Sequence, residues 1–168
     1  MEKRTEIELE TEKVLMEHYD SYYRLAYSYM KNKEDALDVV QESAYKAMRD
    51  CNSVRESAFL KTWMYRIVVN TALDFLRKKK HEEVVETLPE DGREDVYEDW
   101  DLQMVLNRLG EKEKSIIVLR YFEEEKLEDI AKILGENLST VKARLYRTLK
   151  KLRIELETES LHERGNMA

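Results

Sequence analysis

The most specific chemical signal in the sequence is a basic helical face near the C-terminus. From Leu138 to Arg153 the chain carries six basic residues and no acidic one. At about 100° per residue, a helix here places polar and basic side chains opposite an apolar stripe. Arginine can pair bidentately with guanine in the major groove, and lysine can hold phosphates. The spacing predicts a duplex-reading surface made of Thr140, Lys142, Ala143, Arg144, Arg147, Lys150 and Lys151.

The residues around this face predict how it is positioned. One face of a short preceding helix carries Leu127, Ile130, Ala131 and Leu134, and the buried stripe of the basic helix carries Val141, Leu145, Leu149 and Leu152. Gly135 stands where the first helix must end, and Asn137 can cap the second. This order predicts a helix-turn-helix. A solvated basic face on a packing helix is the usual explanation of a charge run alone, but the turn and cap in register favour DNA binding.

A second surface combines aromatic, basic and amide side chains. One face of residues 59–80 is apolar and is expected to pack, and it carries Leu60, Met64, Ile67, Val68, Thr71 and Phe75. The other face carries Phe59, Thr62, Trp63, Arg66, Asn70, Leu73 and Arg77. Rings stack on unpaired bases and cations follow the backbone, so this face resembles a platform for single-stranded nucleic acid. The alternative is that Phe59 and Trp63 fill a second core contact.

Catalytic, metal-binding and membrane functions find no support. The single cysteine, Cys51, and three scattered histidines make a poor metal set. No phosphate-binding glycine loop, nucleophile elbow or zinc-protease motif occurs, so we expect no active site, no cofactor and no small-molecule substrate. The N-terminus has no apolar signal region, and no apolar run reaches 18 residues, so we expect a cytoplasmic protein without membrane insertion.

The elements that position both surfaces are all predicted to be helical. Four glycines, one proline and 39% charged residues are typical of a helical protein. We predict three helices in the first part, namely 14–31, one capped by Asn32 that ends near Asp50, and one capped by Ser57 that runs to about Lys80, with a loop at 51–56. We predict four more at 100–109, 111–122, 127–134 and 138 to about 156.

An acidic stretch separates the two helical sets. Residues 81–101 hold ten acidic residues and one arginine, together with Pro89 and Gly92, and maintain no apolar stripe. The sequence therefore predicts an all-α fold with two small domains, a helical bundle at 1–80 and a helix-turn-helix domain at 100–168, joined by an acidic linker at 81–99.

Three motifs carry a resemblance to a known family. They are DALDVVQESAYKAM (35–48), FLKTWMYRIVVNTALDFLRKKK (59–80) and IAKILGENLSTVKARLYRTLKKLR (130–153). In this order they resemble the polymerase-binding helix, the promoter-melting helix and the helix-turn-helix of extracytoplasmic-function sigma factors, a group of the sigma-70 family. The sequence departs from the usual pattern at Glu136, where the family has an apolar residue, and this bears on the geometry of the turn.

The resemblance implies a function and a set of partners. Such a protein is no enzyme; it binds core RNA polymerase and promoter DNA, directs promoter recognition, melting and initiation, and is controlled by an anti-sigma factor. By the same resemblance, polymerase binding involves Asp35, Asp38, Gln41 and Glu42. The melted minus-ten strand is handled by Asn52, Ser53 and Lys78 with the aromatic and basic face, and residues 140–151 read the minus-thirty-five element.

Two other functions stay open from the residues alone. One is a helix-turn-helix regulator that binds operators without polymerase, which would leave the aromatic and basic face without a purpose. The other is an interaction protein that binds no DNA, or a helical enzyme. Transcription with purified core polymerase separates the first from a sigma factor, and a salt-dependent shift assay with promoter DNA separates the second.

Overall fold

The computed structural model of the protein describes residues 3–82 and 106–165, and no strand occurs in these ranges. The helices are α1 (Glu6–Glu17), α2 (Tyr19–Met30), α3 (Lys33–Asp50), α4 (Leu60–Glu82), α5 (Glu111–Ile117), α6 (Leu127–Leu134) and α7 (Leu138–Gly165). They form two compact units, one built from α1 to α4 and one from the later helices, with Lys132–Gly135 grouped with the first. The all-α prediction is confirmed.

The N-terminal helix α1 was missed by the sequence prediction, which began the first helix at Val14 and continued it to Lys31. The chain instead forms two helices that separate at His18. A capping box starts α1, because the Thr5 hydroxyl accepts the Glu8 amide at 3.3 Å and the Thr5 amide donates to the Glu8 carboxylate at 3.1 Å. Thr11 is fully buried and donates to the Ile7 carbonyl at 2.6 Å, which lets a polar residue lie on the packed side.

The bounds of α3 agree with the prediction. Lys31 ends α2 in the left-handed conformation, with a φ of 62°. Asn32 then caps α3, because its Oδ1 accepts the Asp35 amide at 2.9 Å. Glu34 and Asp35 lie in the first turn, where the helix dipole favours acidic side chains.

The segment between α3 and α4 contains two short 3₁₀ turns, Cys51–Ser53 and Ser57–Phe59, in place of a plain loop with a cap. The prediction of Ser57 as the N-cap of α4 was wrong. Ser57 opens the second turn, which closes with the Phe59 amide donating to the Glu56 carbonyl at 3.0 Å, and the α-helix begins at Leu60.

The core of the first unit is formed by α2, α3 and α4. Tyr22 and Tyr65 meet edge to face, with ring centroids 4.9 Å apart. Leu60, Met64, Val68 and Thr71 are buried as predicted, whereas Ile67 and Phe75 are only half-buried. The same helix also buries Tyr65, Val69 and Ala72. The buried face of α4 is therefore wider than the predicted stripe, because both α2 and α3 pack against it.

The second unit has its own apolar core. Fully buried there are Leu106, Ile116, Leu119, Ile130 and Val141. The predicted helix 111–122 is present, but its second half, Val118–Phe122, is a π-helical turn that the Glu123 amide closes by donating to the Val118 carbonyl at 3.0 Å. The last helix continues beyond the predicted residue 156 to Gly165.

Two predictions fall on chain outside the described residues. The first is the linker 81–99, of which only residues 81 and 82 are described, as the end of α4. The second is the helix 100–109, of which only residues 106 and 107 are described as helical. Within the described ranges, no helix is both long and apolar enough to cross a bilayer.

Candidate nucleic-acid and partner-binding surfaces

The turn between α6 and α7 sets the position of the basic helix. Gly135 has a φ of +65°, and a side chain there would meet no atom within 4 Å. The left-handed backbone, rather than crowding, therefore favours glycine. The Glu136 amide donates to the Ala131 carbonyl at 2.9 Å, and the Val141 amide donates to the Asn137 carbonyl at 3.0 Å. These bonds end α6 and start α7, as a helix-turn-helix requires.

The exposed side of α7 carries most of the predicted duplex-reading residues. Exposed there are Thr140, Lys142, Ala143, Arg147, Lys150 and Lys151. Val141, Leu145 and Leu152 are buried on the opposite side, whereas the predicted Leu149 is only half-buried. Thr148 is fully buried instead, and its hydroxyl donates to the Arg144 carbonyl at 2.7 Å.

Arg144, which was predicted to belong to the duplex-reading surface, is the least exposed member of that set. Its side chain is 21% exposed and forms a close ion pair with Glu136. Glu136 also accepts from Lys112 of α5 at 2.9 Å. The carboxylate thus joins the turn, α5 and α7, and the departure from the family pattern at Glu136 has a structural use.

The partners of Glu136 also change its titration. Partial burial raises the pKa of the carboxyl group, but the hydrogen bond from Lys112 and the charges of Arg144 and Lys112 outweigh burial and lower the pKa below its ordinary value. A lowered pKa in the folded state stabilises the fold above the unfolded-state value, about 4.3 for glutamate. This stabilisation is lost as the pH falls through the lowered folded-state pKa.

We therefore expect Glu136→Gln to destabilise the second unit at neutral pH. The loss is about 1.5 to 3 kcal/mol, the range for hydrogen bonds to charged groups. The difference in unfolding free energy between the two proteins should shrink as the pH falls through the lowered pKa, because protonation removes the same charge from the parent protein. Denaturant unfolding followed from pH 3 to pH 7 measures this. A difference that does not change with pH would contradict the role given to the ion pairs.

Lys150 and Lys151 of α7 differ in their partners. Lys151 pairs with Glu113 of α5 at 3.2 Å, so part of its charge is used within the unit. Lys150 is exposed, and within the described residues its amine has no hydrogen-bond partner or ion pair. Sequence reasoning missed Tyr146, which is 66% exposed on the same side. Its spacing of three from Ala143 and four from Lys150 was a readable signal.

A groove of about 490 Å³ in the first unit brings several predicted strand-binding residues together. Its lining residues are Arg49, Asp50, Asn52, Ser53, Trp63 and Ile67, and we call it the Trp63 groove. Trp63 is half-buried, so its ring is held by the fold and remains accessible. The Arg49 guanidinium binds the Asp50 carboxylate through two hydrogen bonds of 3.0 and 2.9 Å. The groove therefore offers a ring, an amide and a hydroxyl beside a largely neutralised ion pair.

The remaining strand-binding candidates lie outside the lining of this groove. Phe59, Arg66 and Asn70 are exposed and Thr62 is half-buried. Arg77 and Lys78 line a second groove of about 440 Å³ together with Glu42, Lys46, Asp74 and Phe75. Arg77 also donates to Asp74 at 2.6 Å. The structure thus separates the predicted strand surface into a Trp63 groove and a more polar region beside α3.

The predicted partner-binding side chains of α3 divide into two groups. Asp38, Gln41 and Glu42 are exposed, and their spacing of three and four places them on one side of the helix. Sequence reasoning missed Tyr45, which continues this line and is 64% exposed. The Arg49 guanidinium lies 5.8 Å from its ring centre. We call Asp38, Gln41, Glu42 and Tyr45 the α3 face.

Asp35, the fourth predicted polymerase-binding residue, is less exposed than the α3 face. It is half-buried, forms a close ion pair with Lys79 at the end of α4, and accepts from Asn32 at 2.7 Å. Burial raises the pKa of Asp35, but the hydrogen bonds from Lys79 and Asn32 outweigh burial and lower its pKa overall. Asp35 therefore anchors α4 to the start of α3.

Comparisons with known proteins cover both units. The family profile described as Sigma-70 region 2 matches residues 14–82, and Sigma-70, region 4 matches residues 99–152. The chain is 50% identical over 152 residues to the RNA polymerase sigma factor SigV of Bacillus subtilis (strain 168), covering 88% of this chain and 91% of that protein. It is 31% identical over 156 residues to the ECF RNA polymerase sigma factor SigW of the same organism, with coverages of 82% and 83%.

Solved structures show the same fold. The sigma factor RpoE, in a co-crystal structure with the anti-sigma factor NepR from Bartonella quintana, superposes with a TM-score of 0.74 at 24% identity. The match covers 87% of this chain and 96% of that chain.

Proposed function

We propose that this chain, which belongs to the extracytoplasmic-function group of the sigma-70 family, is an alternative sigma factor. It binds core RNA polymerase, directs it to promoters and supports strand opening and initiation. The observation that carries this proposal is that one chain presents two surfaces of different chemistry, an aromatic groove and an exposed basic helix. The Trp63 groove suits an unpaired base, and the exposed side of α7 suits a duplex groove.

The proposed domains follow these two geometries. Residues 1–80 bind core polymerase and the minus-ten element, and residues 100–168 bind the minus-thirty-five element, with the acidic stretch 81–99 as the connection. The described helices support this division, because they form two compact units. The proposed role needs no bond-making group in this chain, since the polymerase supplies the catalysis, so we assign no enzymatic activity.

The α3 face is the proposed contact with core polymerase. It presents two carboxylates, an amide and an exposed ring on one side of α3. On the other side of this helix, Ala36, Val39 and Val40 are buried. A mixture of charged groups around an aromatic anchor is typical of a protein interface. An acidic surface also repels DNA, so this side of the unit suits a protein partner better than promoter DNA.

An anti-sigma factor is the third proposed partner, alongside core polymerase and promoter DNA. The structural neighbour RpoE was solved as a complex with the anti-sigma factor NepR. A sigma factor acts where core polymerase acts, so we place this protein in the cytoplasm, without insertion into the membrane.

Transcription with purified components tests the proposal. We expect core polymerase alone to give no promoter-specific transcript and core polymerase with this protein to give one defined start site on a promoter mapped after overexpression. A helix-turn-helix regulator without a polymerase-binding role would shift promoter DNA but would not restore transcription to core enzyme. The absence of a defined transcript, with a known sigma factor active in the same assay, would overturn the proposal.

Arg147 and Lys150 are expected to contribute differently to upstream recognition. Arg147 is exposed on α7, where its fork can reach base edges, whereas the flexible ammonium of Lys150 is suited to phosphate. In the assembled polymerase, Arg147→Ala should cost about 1 to 3 kcal/mol and relax preference at one upstream base pair. Binding to a panel of single-base variants of the minus-thirty-five element measures both effects.

Lys150→Ala is the matched control for this measurement. It should weaken binding to all sequences nearly equally and reduce the slope of log affinity against log salt by about one unit. Lys150 is a cleaner phosphate probe than Lys151, because Lys151 pairs with Glu113. An unchanged base preference after Arg147→Ala would show that α7 does not read bases through this residue.

A further inference from the structure

The N-terminal helix reaches the Trp63 groove through a single hydrogen bond. Thr5, the N-cap of α1, donates its hydroxyl proton to the Oδ1 atom of Asn52 at 3.3 Å. Asn52 lies in the 3₁₀ turn Cys51–Ser53 and lines the groove. A residue 47 positions earlier in the chain is thereby joined to the amide that faces the proposed strand-binding site.

In the structure Thr5 is the donor of this hydrogen bond, and the capping box leaves its proton available. The Thr5 oxygen already accepts the Glu8 amide at 3.3 Å, and its one proton is available for donation. The oxygen of Asn52 is the group that can accept this proton, so the amide is oriented with Oδ1 toward Thr5. Within the described residues, the Nδ2 amine of Asn52 has no hydrogen-bond partner. The Nδ2 amine, a hydrogen-bond donor, is therefore the polar group of Asn52 that remains available to the groove.

A free asparagine can offer a base either its oxygen or its amine, because the amide can turn over at little cost. An amide held in one orientation offers only one of these. An unpaired base is read through the donors and acceptors on its edge, so the orientation of Asn52 decides which edges bind.

We propose that Thr5 is a specificity-positioning residue, which turns the Asn52 amine toward the Trp63 groove so that the unpaired base is recognised there through an acceptor atom. This inference rests on the proposed function and adds to it a role for α1. Trp63 supplies stacking, which tolerates any base, and the oriented amide supplies discrimination. Thr5 does not contact the strand in this arrangement; it acts through Asn52.

Thr5→Asp is the decisive variant. Aspartate is an equally good N-cap, so α1 keeps its start. Its carboxylate only accepts, so it binds the amine of Asn52 and turns the Oδ1 atom toward the groove. Asn52→Asp places an acceptor in the groove by another route, because the introduced carboxylate accepts from Thr5 through one oxygen and presents the other.

The experiment uses full-length protein with core polymerase on a mapped promoter whose minus-ten region is pre-melted. Each of the four bases is placed at each non-template position, and complex formation is measured. We expect Thr5→Asp and Asn52→Asp to change the base ranking at the same single position and in the same direction. Preference for the base favoured by the parent protein should fall about fivefold, the effect of one hydrogen bond. Thr5→Ser, which keeps the hydroxyl, should retain the parent ranking.

Two further measurements separate this role from a purely structural one. In an Asn52→Ala background, Thr5→Asp should change the ranking no further, because its effect passes through Asn52. Thermal unfolding should show that Thr5→Asp leaves the first unit folded. A Thr5→Asp protein with the parent ranking would overturn the inference while leaving the sigma-factor assignment intact. A parent protein that gave no promoter-specific complex would instead contradict the proposed function.

Discussion

Replacing Asp38, Gln41 and Glu42 together by alanine is expected to abolish co-purification with core polymerase. All three side chains are exposed on one side of α3, and their removal takes away both charges and the amide of the α3 face. We expect each truncation to cost about 1 kcal/mol, so the three together should weaken binding roughly 150-fold. Affinity capture of tagged protein with purified core enzyme, followed by titration, measures the loss.

The matched control removes the same number of negative charges elsewhere on the first unit. Glu17 and Asp20 are exposed near the junction of α1 and α2. The double variant Glu17→Ala, Asp20→Ala should bind core enzyme as the parent does. Helical content should be equal in all three proteins, because alanine favours helix at every one of these positions. Retained polymerase binding by the triple variant would remove the α3 face as the contact.

Trp63→Ala is expected to cause the largest defect in strand opening. Its ring lies in the groove with Asn52 and Ser53, and stacking of a base on an aromatic ring contributes about 1 to 3 kcal/mol. Open complexes on duplex promoter should therefore fall about 5- to 150-fold. Contact with the minus-thirty-five element should be unchanged, because α7 belongs to the other unit. Permanganate reactivity of unpaired thymines and protection of the upstream duplex measure the two effects separately.

Trp63→Phe controls for the half-buried packing of this side chain, because it keeps an aromatic ring on α4. It should retain most of the opening activity. If Trp63→Ala lost upstream protection as strongly as strand opening, the groove would not be the site of the melted strand. A Trp63→Phe protein as defective in strand opening as Trp63→Ala would lead to the same conclusion.

The helices that the sequence predicted best are those with local start and stop signals. Asn32 before α3 and Gly135 after α6 are side-chain and backbone requirements of the helix ends themselves. The helix α1 was missed because five of its twelve residues are acidic and its packed side includes Thr11. Its capping box, Thr5 with Glu8, was a readable signal. The break at His18 was hidden, because the apolar spacing continues through it.

The candidate sites were predicted as helical faces but not as sets of contacts. Periodicity placed Arg144 on the exposed side of the last helix, yet its side chain is held by Glu136 from the turn. Periodicity also cannot show that Lys79 pairs with Asp35 across 44 positions, or that Thr5 contacts Asn52. Such pairs depend on tertiary packing, which brings together residues without any regular spacing.

The two separate cores have a consequence for how promoter preference diverges among descendants of this protein. The residues around Met64 and Tyr65 support the Trp63 groove, while those around Ile130 and Val141 support the turn and α7. A substitution that remodels one support leaves the other core packed as before. Substitutions can thus change the preferred sequence of one promoter element while the preference for the other element stays constant. Promoter preference can therefore diverge one element at a time, so that a protein changed at one element still recruits polymerase to some of its earlier promoters.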